Sequence, residues 1–385
     1  MPPYDARKSG YLPSLDGWRA IAILGVIFSH DQVWWVGRHS LQPLQEMGSY
    51  GVDLFFAISG ILITTRILQD ETLLGRFEIG KFYTRRLFRI QPAQWVYLAV
   101  LGVLMLWGVL PGHLFQWFGA LLMYENFVLK KTAMLGGIDF VGHFWTLAVE
   151  EHFYILLSLF LLFVKRFRLA ALVVIWLSLL VFYHYEAYRS GGELKWYTER
   201  LTWFQLPILV YGSLLAVALR RPNVRLWMVR YLKPWAVFCV SAGWVIARGI
   251  GQHLVSPSSV DFRLDWWRPF VVSLSEIFFA LWVLATMLHA ESLSTKILEW
   301  RPLRWLGRLS YSLYIWHVLF FAVRGSVKVP GLMFLSSCPV KYIASLTLAC
   351  LSYYVIEKPA MRLGHRLAPP ATPGHQDLAV ANAAS

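Results

Sequence analysis

The residues best suited to chemistry stand inside apolar segments. Arg19 and His30 interrupt the first of these. Their eleven-residue spacing, at ~100° per residue, returns to within about 20° of the same helical face, some ~16 Å further along. A neutral imidazole at that point could act as general base or proton carrier. The arginine on the same stripe could bind an anion but not donate a proton, because a guanidinium stays charged. Ser310, Tyr314 and His317 form a second set at i, i+4 and i+7. A third lies between Gly142 and Tyr154, where His143, Leu147, Glu150, Glu151 and Tyr154 share one side of a helix. Two adjacent carboxylates one to two turns into an apolar segment need a partner, water or a task such as orienting an imidazole. Arg86 and Arg89, at i, i+3 in the block Lys81 to Pro92, share a face and could hold phosphate in bidentate geometry. Asp53 sits just inside another apolar segment, where a helix N-terminus favours an acid in any case. Each set has a plainer alternative: a snorkelling arginine, a core histidine hydrogen-bonded to a neighbouring helix, a structural ion pair, or basic residues that only fix topology.

The elements that must position these groups are membrane helices. Of 385 residues 57% are hydrophobic and only 15% charged, against about 25% charged in soluble domains. Apolar stretches of roughly 16 to 21 residues recur along the chain, long enough at ~1.5 Å per residue to cross a ~30 Å hydrocarbon core. Ten spans are expected near residues 15–35, 51–67, 93–110, 144–164, 170–185, 204–219, 234–250, 270–288, 306–321 and 342–355. An eleventh apolar piece, 114–128, is broken by Glu125 and Asn126 and follows Pro111-Gly112, which suits a re-entrant segment better than a span. The expected class is therefore all-α and polytopic. Residues 1–14 form a cytoplasmic N-terminal segment, 15–366 one membrane domain and 367–385 a flexible tail.

Lys and Arg give a formal charge of +14, but they fall in short clusters between apolar stretches rather than in one stripe. Positive-inside topology explains this better than nucleic-acid binding. With ten spans and both termini inside, 24 of the 36 Lys and Arg fall on cytoplasmic segments. Trp34, Trp35, Trp266 and Trp267 are expected at the outer interface as anchors. Cys239, Cys338 and Cys350 are odd in number and widely spaced, which suggests neither disulfides nor a metal site. The first apolar segment, carrying Arg19 and His30 and lacking a small-residue cleavage site, reads as a retained helix rather than a signal peptide.

Taken in order, these blocks resemble the membrane acyltransferases of acyltransferase family 3. The resemblance runs from about Leu15 to Pro359. It rests on Ser14 to Ala22 with His30, on Gly51-Val52-Asp53-Leu54-Phe55-Phe56-Ala57-Ile58-Ser59-Gly60, on the Phe82 to Pro92 arginines, on His143 to Tyr154, on Ser310-Tyr311-Ser312-Leu313-Tyr314-Ile315-Trp316-His317 and on Ile356-Glu357-Lys358-Pro359. It implies a ten-helix bacterial inner-membrane enzyme with a cytoplasmic N-terminus. Such an enzyme moves acyl groups, often acetyl, from cytoplasmic acyl-coenzyme A, a co-substrate rather than a bound cofactor, to a hydroxyl of a carbohydrate or glycolipid acceptor in the cell envelope. The family's arginine and histidine match Arg19 and His30, and its paired arginines match Arg86 and Arg89. Catalytic roles are thus expected for His30, Glu150 and Glu151, and substrate contacts for Arg19, Arg86, Arg89, Asp53, Tyr314 and His317. Some members add an extracytoplasmic hydrolase-like domain, and none is expected after this membrane part, so acceptor handling would fall to the membrane domain or a partner protein.

The competing expectation is a proton-coupled transporter, which also carries intramembrane histidines and carboxylates. No two halves of the chain repeat one another, and the polar residues gather in a few segments. A non-enzymatic relative acting as a binding partner is the third class.

Overall fold

The structure, a computed structural model, describes residues 12–31, 49–135, 140–191, 194–254, 261–321 and 334–369, without the side chains of 49, 245–254, 261–269 and 271. Every expected span coincides with a helix. In chain order these are α1 (Pro13–His30), α2 (Ser49–Leu74), α3 (Ile79–Leu106), α4 (Leu114–Leu121), α5 (Glu125–Leu135), α6 (Trp145–Phe163), α7 (Arg168–Arg189), α8 (Trp196–Glu199), α9 (Thr202–Ala218) and α10 (Pro222–Tyr231). There follow α11 (Pro234–Leu254), α12 (Asp261–Leu288), α13 (Leu293–Leu298), α14 (Arg301–Phe321) and α15 (Val340–Leu351), which passes through a π-helical turn, Ser352–Glu357, into α16 (Lys358–Leu367). The fold is that of a polytopic, all-α membrane protein. Among the described residues, α2, α3, α6 with its preceding turn, and α7 are long and apolar enough to cross a bilayer by length and composition. A fifth would be α9 with α10, but a 110° bend separates them. Helices α1 and α14 are less apolar because they carry Asp16, Arg19 and His30, and Arg301, Arg304 and Arg308.

One boundary differs from expectation. The Lys81–Pro92 block is not a connection: α3 begins at Ile79 and runs 28 residues through Pro92, so Arg86 and Arg89 ride on the helix that forms the span. Helix α1 ends at His30, and residues 32–35 of the expected span lie outside the described residues. Asp31, the next residue, is a buried carboxylate that receives the Lys341 ammonium and the Tyr342 hydroxyl from α15. An ion pair this dry holds only when both charges are matched, and it ties the end of α1 to α15. The expected re-entrant piece is two short helices, α4 and α5, broken where Met123 adopts a left-handed φ of 59°; neither is long enough to span. Expectations for Trp34, Trp35, Trp266 and Trp267, and for tail residues beyond 369, fall outside the described residues and side chains.

The bundle is held by close backbone approaches, as membrane helices are where small residues meet. Helix α1 packs most extensively on α14, and α2 on α9. Gly307 lets α14 reach α1 so closely that a Cβ there would collide with the Asp16 carbonyl. Gly212 of α9 lies against Gly60 and Ile61 of α2, where a Cβ would stand 2.9 Å from the Ile61 nitrogen. Gly307→Ala is therefore expected to destabilise by about 1–3 kcal/mol, seen as a lower melting temperature of the detergent-solubilised protein; an unchanged transition would contradict this packing.

Candidate active site

Five of the spanning and near-spanning helices surround a cavity of about 470 Å³. Helix α2 forms its longest wall: Val52, Phe55, Ser59, Leu62, Arg66 and Asp70 recur at steps of three and four and all line it, as one helical face must. Val52 to Arg66 spans ~21 Å at 1.5 Å per residue. Helix α3 adds Phe82, Arg85, Arg86, Arg89 and Ile90, α6 adds Thr146, Leu147, Glu150 and Tyr154, α14 adds Ser310, Tyr311 and Tyr314, α1 adds Arg19, and α16 adds Met361 and His365.

One end is a belt of five arginines, Arg19, Arg66, Arg85, Arg86 and Arg89. Arg85 is tied to Asp70 at 2.8 Å, and Arg19 lies 3.8 Å from Asp16. Arg89 reaches the Met361 thioether at 3.3 Å, a weak acceptor. Arg86 sits 3.8 Å above the Tyr154 ring and 5.8 Å from Phe82, a cation–π seat that fixes its direction. Burial, and then the Arg85, Arg89 and Arg66 charges, hold the His365 imidazole below its ordinary pKa, so it stays neutral among them. The opposing charge is supplied by Glu150. Its Oε1 accepts from Ser59 at 2.5 Å and its Oε2 from Tyr154 at 3.0 Å, and Tyr154 is the ring under Arg86.

The other end is closed by Tyr314. Its hydroxyl donates to the His143 carbonyl at 2.6 Å and is hydrogen-bonded to Thr146 Oγ1 at 2.7 Å. Against it stand three imidazoles. The rings of Tyr314 and His317 are 5.7 Å apart, His143 and His317 also 5.7 Å, and His30 meets His317 edge-on at 5.1 Å. His30 Nδ1 lies 2.7 Å from the Val26 carbonyl and His317 Nδ1 2.7 Å from that of Tyr314. A carbonyl can only accept, so each Nδ1 carries the proton and each Nε2 keeps its lone pair. His317 is buried and its Nε2 has no hydrogen-bond partner among the described residues; His30, on the last turn of α1, retains accessible surface.

The predicted residues thus separate into groups. Arg19, Arg86, Arg89, Glu150 and Tyr314 line one cavity. His30 and His317 pair just behind Tyr314. Glu151, one position round α6 from Glu150, does not line the cavity, and neither does Asp53, which shares its helix with the lining residues but lies to one side of their stripe, within electrostatic reach of Glu276 on α12 and of Glu199. Ser59 escaped the sequence reading, although its place three and four positions before Leu62 and Ile63 on the α2 stripe was available. His143 was noted for its helical phase, but its junction with His30 and His317 comes from three different elements.

A helical membrane bundle thus surrounds a chamber lined by arginines at one end and backed by imidazoles at the other. The chain belongs to the acyltransferase family: the family model described as an acyltransferase domain matches residues 12–354. It is 28% identical over 382 residues to "Putative peptidoglycan O-acetyltransferase YrhL" of Bacillus subtilis, covering 92% of this chain and 56% of that protein. It is 27% identical over 379 residues to O-acetyltransferase OatA of Staphylococcus aureus, covering 92% and 58%. The chain spans little more than half the length of these curated relatives. No solved structure matches it.

Proposed function

We propose that this chain is a membrane O-acyltransferase that moves an acyl group, acetyl in the simplest case, from acyl-coenzyme A to a hydroxyl of a carbohydrate acceptor. The observation that carries the reading is the single chamber joining the arginine belt to the Tyr314 wall, behind which His30 presents a free Nε2 lone pair. The belt suits the phosphates of coenzyme A, because arginine forks match phosphate oxygens in pairs. The pantetheine arm then follows the α2 face past Ser59 and Glu150, bringing the thioester to Tyr314. Fixed by Ser59 and Tyr154, Glu150 balances the belt and orients Arg86 through the Tyr154 ring; it is a positioning residue in this scheme.

His30 Nε2 removes the acceptor hydroxyl proton as the oxygen attacks the thioester carbonyl. The tetrahedral intermediate collapses by breaking the C–S bond, and the coenzyme A thiolate leaves with the proton returned by His30. An acyl-imidazole on His30 is the alternative course, with the same atoms balanced in two steps. His317, edge-on to His30, holds the base in register. Tyr314 stands between thioester and base, so its side chain must swing for the two to meet. Tyr314→Phe keeps the ring but frees it from Thr146 and the His143 carbonyl, so the swing becomes easier; about a tenfold rise in kcat is expected where the swing limits turnover, and an unchanged kcat would remove Tyr314 from the reaction path.

The localisation that goes with this reading is the bacterial inner membrane, with the N-terminus and the arginine belt at the cytoplasmic side, where acyl-coenzyme A is found. The decisive experiment uses purified full-length protein in proteoliposomes with acetyl-coenzyme A and a cell-wall oligosaccharide. Release of coenzyme A thiol matched by acetylated saccharide in the mass spectrum is the expected result. Solute accumulation without thiol release would turn the assignment to transport.

A further inference from the structure

The chamber and its arginines account for a donor, but not for what binds the acceptor. An arginine the mechanism does not use lies against the aromatic residues next to the Tyr314 wall. Arg200, half-buried in the turn between α8 and α9, lies over two indoles, 5.3 Å from the Trp145 ring and 4.8 Å from that of Trp196. Trp145 is the first residue of α6, immediately before the Thr146 that is bonded to Tyr314. Its ring meets Phe56 edge-on at 6.1 Å, and Phe56 lines the chamber. The Arg200 charge acts on both His30 and Tyr314. Arg200 therefore sits against the aromatic residues that adjoin the Tyr314 wall, within electrostatic reach of the imidazole that must meet the acceptor hydroxyl. The aromatic surface continues outward: Trp196 is 46% exposed and Trp203 39%, with Phe127 5.9 Å from the Trp203 ring.

We infer that Arg200 with Trp145 and Trp196 forms the acceptor subsite, and that it takes a saccharide bearing a negative substituent, a carboxylate or a phosphate. The inference rests on the acyl-transfer reading above. Indole faces present flat apolar surface to the C–H faces of a pyranose, and a guanidinium held between them has a fixed direction from which to fork an anionic group. An interfacial tryptophan belt would place indoles at this depth too, but it has no need of an arginine seated over two of them within electrostatic reach of the base.

The test measures binding and transfer separately. In His30→Ala protein, which is not expected to turn over, binding is followed by calorimetry in nanodiscs with three probes: chitotetraose, a tetrasaccharide alternating N-acetylglucosamine with N-acetylmuramic acid, and N-acetylglucosamine 1-phosphate. The carboxylate or the phosphate probe should bind at least tenfold tighter than neutral chitotetraose, and which of the two does so names the source of the charge. Adding Arg200→Gln should erase that preference, while Trp196→Ala should weaken all three probes together. In otherwise wild-type protein, Arg200→Gln should raise the acceptor KM about tenfold and leave the donor KM unchanged, with Arg200→Lys partly restoring it. Equal affinity for all three probes, or a preference that survives Arg200→Gln, overturns the subsite. Saccharide binding that depends on Arg200 in a protein that never releases coenzyme A thiol would leave the subsite standing and bring down the acyl-transfer reading instead.

Discussion

Replacing His30 with alanine is expected to lower kcat by about 10²–10⁴-fold, the range for loss of a positioned general base, with the amount of protein in the membrane unchanged. The geometry makes the forecast specific to one nitrogen. Because Nδ1 donates to the Val26 carbonyl, only Nε2 can accept the hydroxyl proton. His30→Gln, which offers hydrogen bonding but no basic nitrogen, should fall as far as alanine. His317→Ala should cost less, since His317 only packs edge-on against the base; its mark would be a changed pH–rate profile. Measuring coenzyme A release at saturating donor in membranes of matched expression separates these cases. Turnover by His30→Ala within threefold of wild type would refute the base assignment.

How much of this was legible in the sequence differs from residue to residue. The stripe from Arg19 to His30 and the i, i+3 pairing of Arg86 with Arg89 are properties of a single helix, and a helix's own period places them. The arginines line the chamber wall, and His30 stands eleven residues along α1 from Arg19. Glu150 and Glu151 show the limit of that reasoning. Adjacent residues on a helix differ by ~100°, so only one faces a given partner, and which one depends on where α2 lies. Asp53 stands off the chamber for the same reason, since Val52, Phe55 and Ser59 take the chamber side of α2 and leave Asp53 to one side of it. The α3 boundary was missed because basic residues lower local hydropathy without breaking a helix, so the span was placed after Pro92, which sits mid-helix. The Asp31–Lys341 pair was out of reach altogether. It joins residues more than three hundred positions apart, and nothing in either neighbourhood names the other. The seating of Arg200 between indoles from two elements is of the same long-range kind.

Removing the belt's paired arginines is the second large effect. Each charge-assisted hydrogen bond to phosphate is worth roughly 1.5–3 kcal/mol, so losing both gives about 3–6 kcal/mol, or ~10²–10⁴ in donor affinity. Arg19, Arg66 and Arg85 remain in the belt, which should bring Arg86→Ala with Arg89→Ala to the lower end, about a hundredfold in the KM for acetyl-coenzyme A. A residue that only binds donor changes KM and leaves kcat at saturation intact, whereas loss of topology or folding would lower active enzyme and therefore kcat. The two positions should not be equal. Arg89 touches a thioether and nothing stronger is needed to hold it there. Arg86 is stacked on Tyr154, which in turn bonds Glu150, so Arg86→Ala also loosens the carboxylate that balances the belt and should move kcat modestly where Arg89→Ala does not. Lysine at position 89 should recover part of the affinity as a point charge, but lysine at 86 should recover less, since an ammonium lacks the planar face that stacks on the tyrosine. Initial rates over a range of acetyl-coenzyme A, with adenosine 3′,5′-bisphosphate as a competing phosphate probe, report these differences. A donor KM unmoved by the double substitution would take the phosphates out of the belt and, with them, the direction in which the thioester enters the chamber.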